Sequence, residues 1–231
     1  MRLVLASASP RRQALVDLLG LVWRAAPADV AEEAYLLPEP LVGALNVALA
    51  KARAISGRLQ PDELALAADT LVVADGQVLG KPGDAAEATA MLRHLRGRAH
   101  AVLTGVALLD GQGAAWGGVV SSQVSMRAYT AAEVAAYIAR GEPFDKAGGY
   151  AVQDVAFRPV ERVAGCYLNV VGLPVCAVQA GLEALGVGLD ESAASAWPAS
   201  ASPASGRPTP PVGLQPPCHY CRAGAPRVAI A

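Results

Sequence analysis

Neither sign of charge is in excess in this chain: nineteen Lys and Arg face twenty Asp and Glu, a net charge of −1 over 231 residues. Neutralising many phosphates needs a basic surface, so this balance excludes the footprint of a general nucleic-acid binder, and no nucleic-acid partner is expected. Unbroken apolar runs long enough for a bilayer are missing too. The longest uncharged stretch, Val163 to Leu182, is interrupted by Gly165, Asn169, Gly172, Pro174 and Gln179. It reads as buried strand, turn and helix, and no membrane association is expected. The start of the chain, MRLVLASASPRR, has too short an apolar run for a secretory leader, which makes a cytoplasmic setting the expectation. Cysteine is absent before Cys166 and then occurs at Cys176, Cys218 and Cys221. In a reducing compartment a disulfide framework is not expected. The lone Cys218-His-Tyr-Cys221 pair lacks the second pair that a four-ligand zinc site requires.

Two nucleotide and hydrolase signatures are also missing. No Gly-x-x-x-x-Gly-Lys-Ser/Thr loop occurs, which argues against a Walker-type ATPase, and no Gly-x-Ser-x-Gly elbow occurs. Neither His94 nor His100 has a partner motif, so both are expected on helix or strand surfaces.

What is present divides the chain in two. Eight of the seventeen prolines follow Asp190, in a run of Ala, Ser, Pro and Gly with few large apolar residues. Such a segment buries too little apolar surface to offset its ordering entropy. Residues 190–231 are therefore expected to be a disordered tail, and residues 1–189 the folded domain.

Inside that domain strand and helix signals alternate. Arg2–Ala6 is a short buried strand, after which Ser9 is a candidate N-cap and Pro10 a first helical residue. Ala14, Leu15, Leu18 and Leu19 form the apolar face of a helix closed by Gly20. A second helix covers Leu41–Ile55, and strand runs Leu64–Ala68 and Leu71–Ala74 flank Asp69-Thr70. Asp84 caps a helix ending near Arg96, and a long hairpin joins Ala99–Leu109 to Ala114–Arg127. Thr130 and Glu133 form a capping box. Leu168–Val171 is predicted as a strand and Pro174–Leu185 as the last helix. The class is mixed α/β.

Three groups of residues could do chemistry. Ser7-Ala-Ser9-Pro10-Arg11-Arg12 joins a strand to a helix start, where free N–H groups, hydroxyls and two guanidinium groups suit an anion. Lysine is scarce, with Lys51, Lys81 and Lys146 against sixteen Arg, so a converging set of these ammonium groups would suit a polyphosphate. Three separate solvated lysines are the equal alternative. Asp69, a carboxylate in an apolar strand context, needs a partner or a metal, and it could act as a general base on water. Glu32 and Glu33 could add metal ligands or simply be solvated loop acids. Together the parts describe metal-assisted attack on a nucleotide polyphosphate.

The residues also carry a resemblance. Leu5-Ala-Ser-Ala-Ser-Pro-Arg-Arg12, Ala67-Ala-Asp-Thr70, Gly80-Lys-Pro82, Phe144-Asp-Lys-Ala-Gly-Gly-Tyr150 with Gln153, and Asn169-Val-Val-Gly-Leu-Pro174 resemble the Maf family of nucleotide pyrophosphatases over residues 2–187. The resemblance implies an elongated mixed β-sheet flanked by helices, with a central cleft, related to the inosine triphosphatase fold. It implies hydrolysis of a nucleoside triphosphate to monophosphate and diphosphate with a divalent cation, Mg²⁺ or Mn²⁺. By motif, Asp69 is the catalytic carboxylate and, with Glu32, a metal ligand. Ser7, Arg12, Lys51 and Lys81 hold phosphates, and Lys146 joins the substrate-binding set. Arg11, Thr70 and Gln153 stand at the positions that separate substrate subgroups, and together they resemble the dTTP/UTP subgroup. A homodimer is compatible with the resemblance.

Two positions depart from the family pattern. Asp154 replaces the usual Gly after the glutamine, where an acidic side chain can shift the base-binding loop. Ala31 takes the first place of a usual acidic pair, leaving Glu32 as the match for the metal-linked glutamate. The competing readings are a non-catalytic nucleotide-binding regulator of septum formation, a housekeeping enzyme for modified pyrimidine nucleotides, and a 7-methyl-GTP pyrophosphatase.

Overall fold

Strand β3 (Glu63–Ala74) organises the molecule because its two long edges have different partners. One edge pairs antiparallel along most of its length with β5 (Ala99–Asp110), from Leu64↔Asp110 to Val73↔Ala101. The other edge pairs parallel with β1 (Arg2–Leu5) only from Glu63 to Leu66, and antiparallel with β4 (Gln77–Leu79) only from Val72 to Ala74. Between these stretches, residues 67–71 have no strand beside them on that edge, so the sheet forks there. The structure, a computed structural model, describes residues 1–188. The expected tail, including Cys218 and Cys221, lies outside the described residues.

The sheet has seven strands in the order β2-β1-β3-β5-β6-β7, with β4 beside β3. Here β2 is Trp23–Ala25, β6 is Ala115–Met126 and β7 is Val160–Ala164. Among the described residues, only β1 with β2 and β1 with β3 pair in parallel. The mixed α/β class is therefore as expected. Strands β3, β5 and β6, each twelve residues long, run through both halves and make the sheet elongated.

Helix α2 (Pro40–Ser56) covers one face with Ala48, Ala52 and Ile55 against Val4, Ala65, Ala67 and Ala107. Small residues let it lie close. Gly105 has no room for a side chain, since a Cβ there would collide with the backbone of Ala44. The opposite face of the same half packs Leu64, Leu66 and Ala68 against α1 (Pro10–Val16), α5 (Tyr167–Val171) and α6 (Val175–Ala184). Beyond the fork, α3 (Ala85–Leu95) and α4 (Ala131–Ala139) enclose a second core around Val72, Leu92, Val124, Tyr137 and Phe157.

Local signals were read well at the caps. Asp84 accepts the Glu87 N–H, and Thr130 with Glu133 forms the expected capping box. Ser9 occupies the N-cap of α1 but makes no side-chain cap bond; its own N–H donates to Ser7 Oγ. Two expectations are corrected. Leu168–Val171 belongs to helix α5, not a strand, because a short apolar run carries no period that distinguishes the two. His100 is buried, not on a surface, with Nε2 2.7 Å from Tyr150 Oη. Strands β2, β4 and β7 escaped the reading, being three to five residues long and on sheet edges. The uncharged stretch Val163–Leu182 resolves into the end of β7, α5 and most of α6. Among the described residues no helix is long and apolar enough to cross a membrane.

Candidate active site in the fork of the sheet

The fork opens a cleft of about 470 Å³, and all ten residues that the resemblance assigns to the site line it: Ser7, Arg11, Arg12, Glu32, Lys51, Asp69, Thr70, Lys81, Lys146 and Gln153. Their convergence follows from β3. Successive residues of a strand point to opposite faces, so Asp69 turns to the α2 face and Thr70 to the α1 face. Both still reach the cleft because it wraps around the unpaired stretch of the strand.

On the α2 face Lys51 is buried, and its ammonium bridges two carboxylates. Nζ lies 2.7 Å from Asp69 Oδ1 and 2.8 Å from Glu32 Oε1. Asp69 is buried, while Glu32, on a single helical turn (Glu32–Tyr35), is half-exposed. Partial burial alone raises the Glu32 carboxyl pKa. The hydrogen bond and charge of Lys51, with the charges of Lys81 and Arg12, outweigh this and hold it below the usual carboxylate value. Glu33 is exposed and does not line the cleft.

On the α1 face Arg12 donates from Nε to the Gly172 carbonyl at 2.9 Å and from Nη2 to Thr70 Oγ1 at 3.1 Å. Burial lowers its pKa against the opposing pull of Asp69 and Glu32, but a guanidinium stays charged in a protein. Ser7, directly after β1, is buried beside the start of α1. Of the three lysines, Lys51 and Lys81 border the acidic pair. Lys146 also lines the cleft, yet its ammonium is held by the Glu142 carbonyl and carboxylate and by Asp145. Arg11 reaches the same Asp145, with Nη1 to Oδ2 at 2.9 Å. Burial pushes the Asp145 carboxyl up, and hydrogen bonds from Lys146 and Arg11 more than reverse it, so its pKa is lowered.

The sequence reading missed Thr104 and Asp145. Thr104 was legible as a lone polar residue in the apolar run of β5. Asp145 was visible only inside a motif quoted for its lysine.

Two carboxylates that meet on one ammonium give a hard, all-oxygen donor pair. Among the described residues no group of three or more His, Cys, Asp or Glu could hold a metal alone. This fits a Mg²⁺-like ion, which is commonly held by one or two carboxylates together with substrate phosphates.

A model of the family described as Maf-like protein matches residues 2–185. The chain is 52% identical to the dTTP/UTP pyrophosphatase of Thermomicrobium roseum over 178 residues, covering 76% of this chain and 80% of that one. It is 43% identical to the dTTP/UTP pyrophosphatase of Citrifermentans bemidjiense over 187 residues, covering 80% and 95%. Among solved structures, a HAM1 protein from Coxiella burnetii aligns at 19% identity and a TM-score of 0.41, covering 56% of this chain and 74% of that one.

Proposed function

The chain belongs to the Maf family, and on that premise we propose that it is a pyrophosphatase that hydrolyses dTTP and UTP to the nucleoside monophosphate and diphosphate. The observation that carries the reading is the Lys51 ammonium between Asp69 and Glu32 at the fork, with Arg12 and Lys81 beside it.

Asp69 is the general base. Its carboxylate takes a proton from the water that attacks the α-phosphorus, and the bond to the diphosphate leaving group breaks. Ser7, Arg12, Lys51 and Lys81 hold the phosphates and offset the charge that develops on their oxygens. Asp69 and Glu32 would hold a Mg²⁺ or Mn²⁺ ion. Such an ion supplies Lewis acidity and lowers the pKa of bound water. Arg11, Thr70, Lys146 and Gln153 form the part of the cleft that selects the nucleotide. The buried Asp69–Lys51 pair in the cleft supports turnover over a merely nucleotide-binding regulator, which has no need of a base there. A cytoplasmic homodimer belongs to the same reading, supported by the exposed side chains of Tyr35, Leu36, Leu37 and Val42 near the start of α2.

A panel of nucleoside triphosphates with Mg²⁺ or Mn²⁺, scored for diphosphate against orthophosphate, tests the proposal. Diphosphate release from dTTP and UTP is expected. Orthophosphate as the primary product, or a preference for 7-methyl-GTP, would overturn it.

A further inference from the structure

Gln153 sits on a loop whose attachments run away from the cleft, toward α4. On one side of it the Ala151 N–H donates to Tyr137 Oη at 3.1 Å. On the other, the Asp154 carboxylate receives Arg140 Nη2 at 2.8 and 2.9 Å. Asp154 Oδ1 also accepts the N–H groups of Ala156 at 3.1 Å and Phe157 at 2.6 Å. The Asp154 side chain is only 7% exposed. Three of these contacts fall on Oδ1 and one on Oδ2, and each comes from Arg140 or from the loop itself. Asp154 does not line the cleft; these bonds serve the loop.

The rest of the attachment is aromatic. The Arg140 guanidinium lies 5.3 Å from the centroid of Tyr137, and Tyr137 stacks on Phe157 with centroids 4.6 Å apart and 25° between planes. Arg158, a non-glycine residue with φ of 47°, ends the loop, and the Arg127 guanidinium donates to the carbonyls of Phe157 and Arg158. The segment is thus pinned before, immediately after and four to five residues beyond Gln153.

We infer that Asp154, through its ion pair with Arg140, is a positioning residue that fixes Gln153 for recognition of the pyrimidine base. This rests on the reading of Gln153 as a nucleotide-selecting residue. Geometry held in advance strengthens binding by lowering the ordering cost when ligand arrives. Loss of the pair frees the loop while leaving Asp69, Lys51 and Arg12 untouched. The effect belongs in KM and in base discrimination, with kcat spared.

The test compares steady-state kinetics on dTTP, UTP and GTP for the wild type, Asp154→Gly, Asp154→Asn, Arg140→Ala and Arg140→Lys, with folding checked by circular dichroism. Arg140→Ala and Asp154→Gly are expected to raise KM for dTTP and UTP about five- to tenfold, near the tenfold that corresponds to about 1.4 kcal/mol. Their kcat is expected to stay within about twofold, and the preference for dTTP over GTP to fall with the KM change. Arg140→Lys should recover part of the loss, because it keeps the charge but not the fork geometry. Folded variants with unchanged KM and unchanged base preference would overturn the inference, even with a lower thermal midpoint. If Asp154→Gly does not fold, the Arg140 pair of variants decides alone. A wild type that hydrolyses neither dTTP nor UTP overturns the parent reading, and the inference falls with it.

Discussion

Thr70 and Thr104 stand directly opposite each other on β3 and β5, with their hydroxyl oxygens 2.9 Å apart. Thr104 is fully buried and donates to the Asn169 carbonyl at 3.2 Å. A hydroxyl has one proton, so Thr104 can only accept from Thr70. Thr70 in turn accepts from Arg12. A one-way chain of hydrogen bonds therefore runs from Arg12 at the cleft into the α5 backbone, and it fixes which way each hydroxyl points.

Thr104→Val should break that chain. It leaves the buried Asn169 carbonyl without its donor, at about 1–3 kcal/mol, and lets Thr70 and Arg12 reorient. Denaturant unfolding should register the loss of stability, and kcat/KM should fall several-fold. Thr104→Ser, which keeps the hydroxyl, should restore most of the activity. Equal activity in the Val and wild-type proteins would remove the chain from site organisation.

Lys51 and Asp69 make a second prediction, with two opposite arms. Asp69→Asn is nearly isosteric and keeps a partner for Lys51, so stability should hold while turnover falls by ~10²–10⁴, the typical worth of a general base. Nucleotide binding measured by calorimetry should survive. Lys51→Met leaves Asp69 as an unpaired buried carboxylate, and breaking a buried pair this way typically costs about 3–5 kcal/mol. A Lys51→Met protein as stable as the wild type would show that the pair contributes nothing to the fold.

His100 gives a pH prediction. Burial lowers its pKa to about 4 from the ordinary 6.5. Above pH 6.5 neither the folded nor the unfolded chain carries the proton. Between about pH 6.5 and 4 the unfolded chain binds it and the folded chain does not, so acidification destabilises the fold across that window. Below the folded pKa the loss is complete, at most about 3 kcal/mol for a shift of this size. Urea midpoints recorded from pH 7 to pH 4.5 should fall less steeply in His100→Gln than in the wild type, since the carboxylates titrate equally in both. Parallel curves would show that His100 does not contribute.

Much of the molecule was legible in order of sequence. Caps, the paired apolar runs around Asp69 and the long hairpin all depend on neighbours a few residues away, and each was read correctly as an element. Nine of the ten site residues were legible for a similar reason, whereas Gln153 was singled out only through the family resemblance. Carboxylate, ammonium and hydroxyl groups in apolar surroundings signal a partner before the partner is known. The short edge strands and α5 were not legible. Their identity depends on what lies beside them, and four or five apolar residues satisfy a strand or a helix equally well.

The amino-acid sequence by itself determined which groups were available: a carboxylate in the middle of the apolar run of β3, three lysines, a hydroxyl-rich turn before two arginines, and an acid after Gln153. Only the tertiary structure decided what those groups do to one another. Because β3 changes partner between Leu66 and Val72, Asp69 and Thr70 face different sides of the sheet yet share one cleft. Because α2 lies against Gly105, Lys51 comes within 2.7 Å of Asp69 from eighteen residues away. Because Arg140 comes from α4, the acid expected to disturb the Gln153 loop is instead bound inward. Each outcome is a contact between distant segments, and charge and hydrogen bonding act through distance in space, which local sequence does not encode.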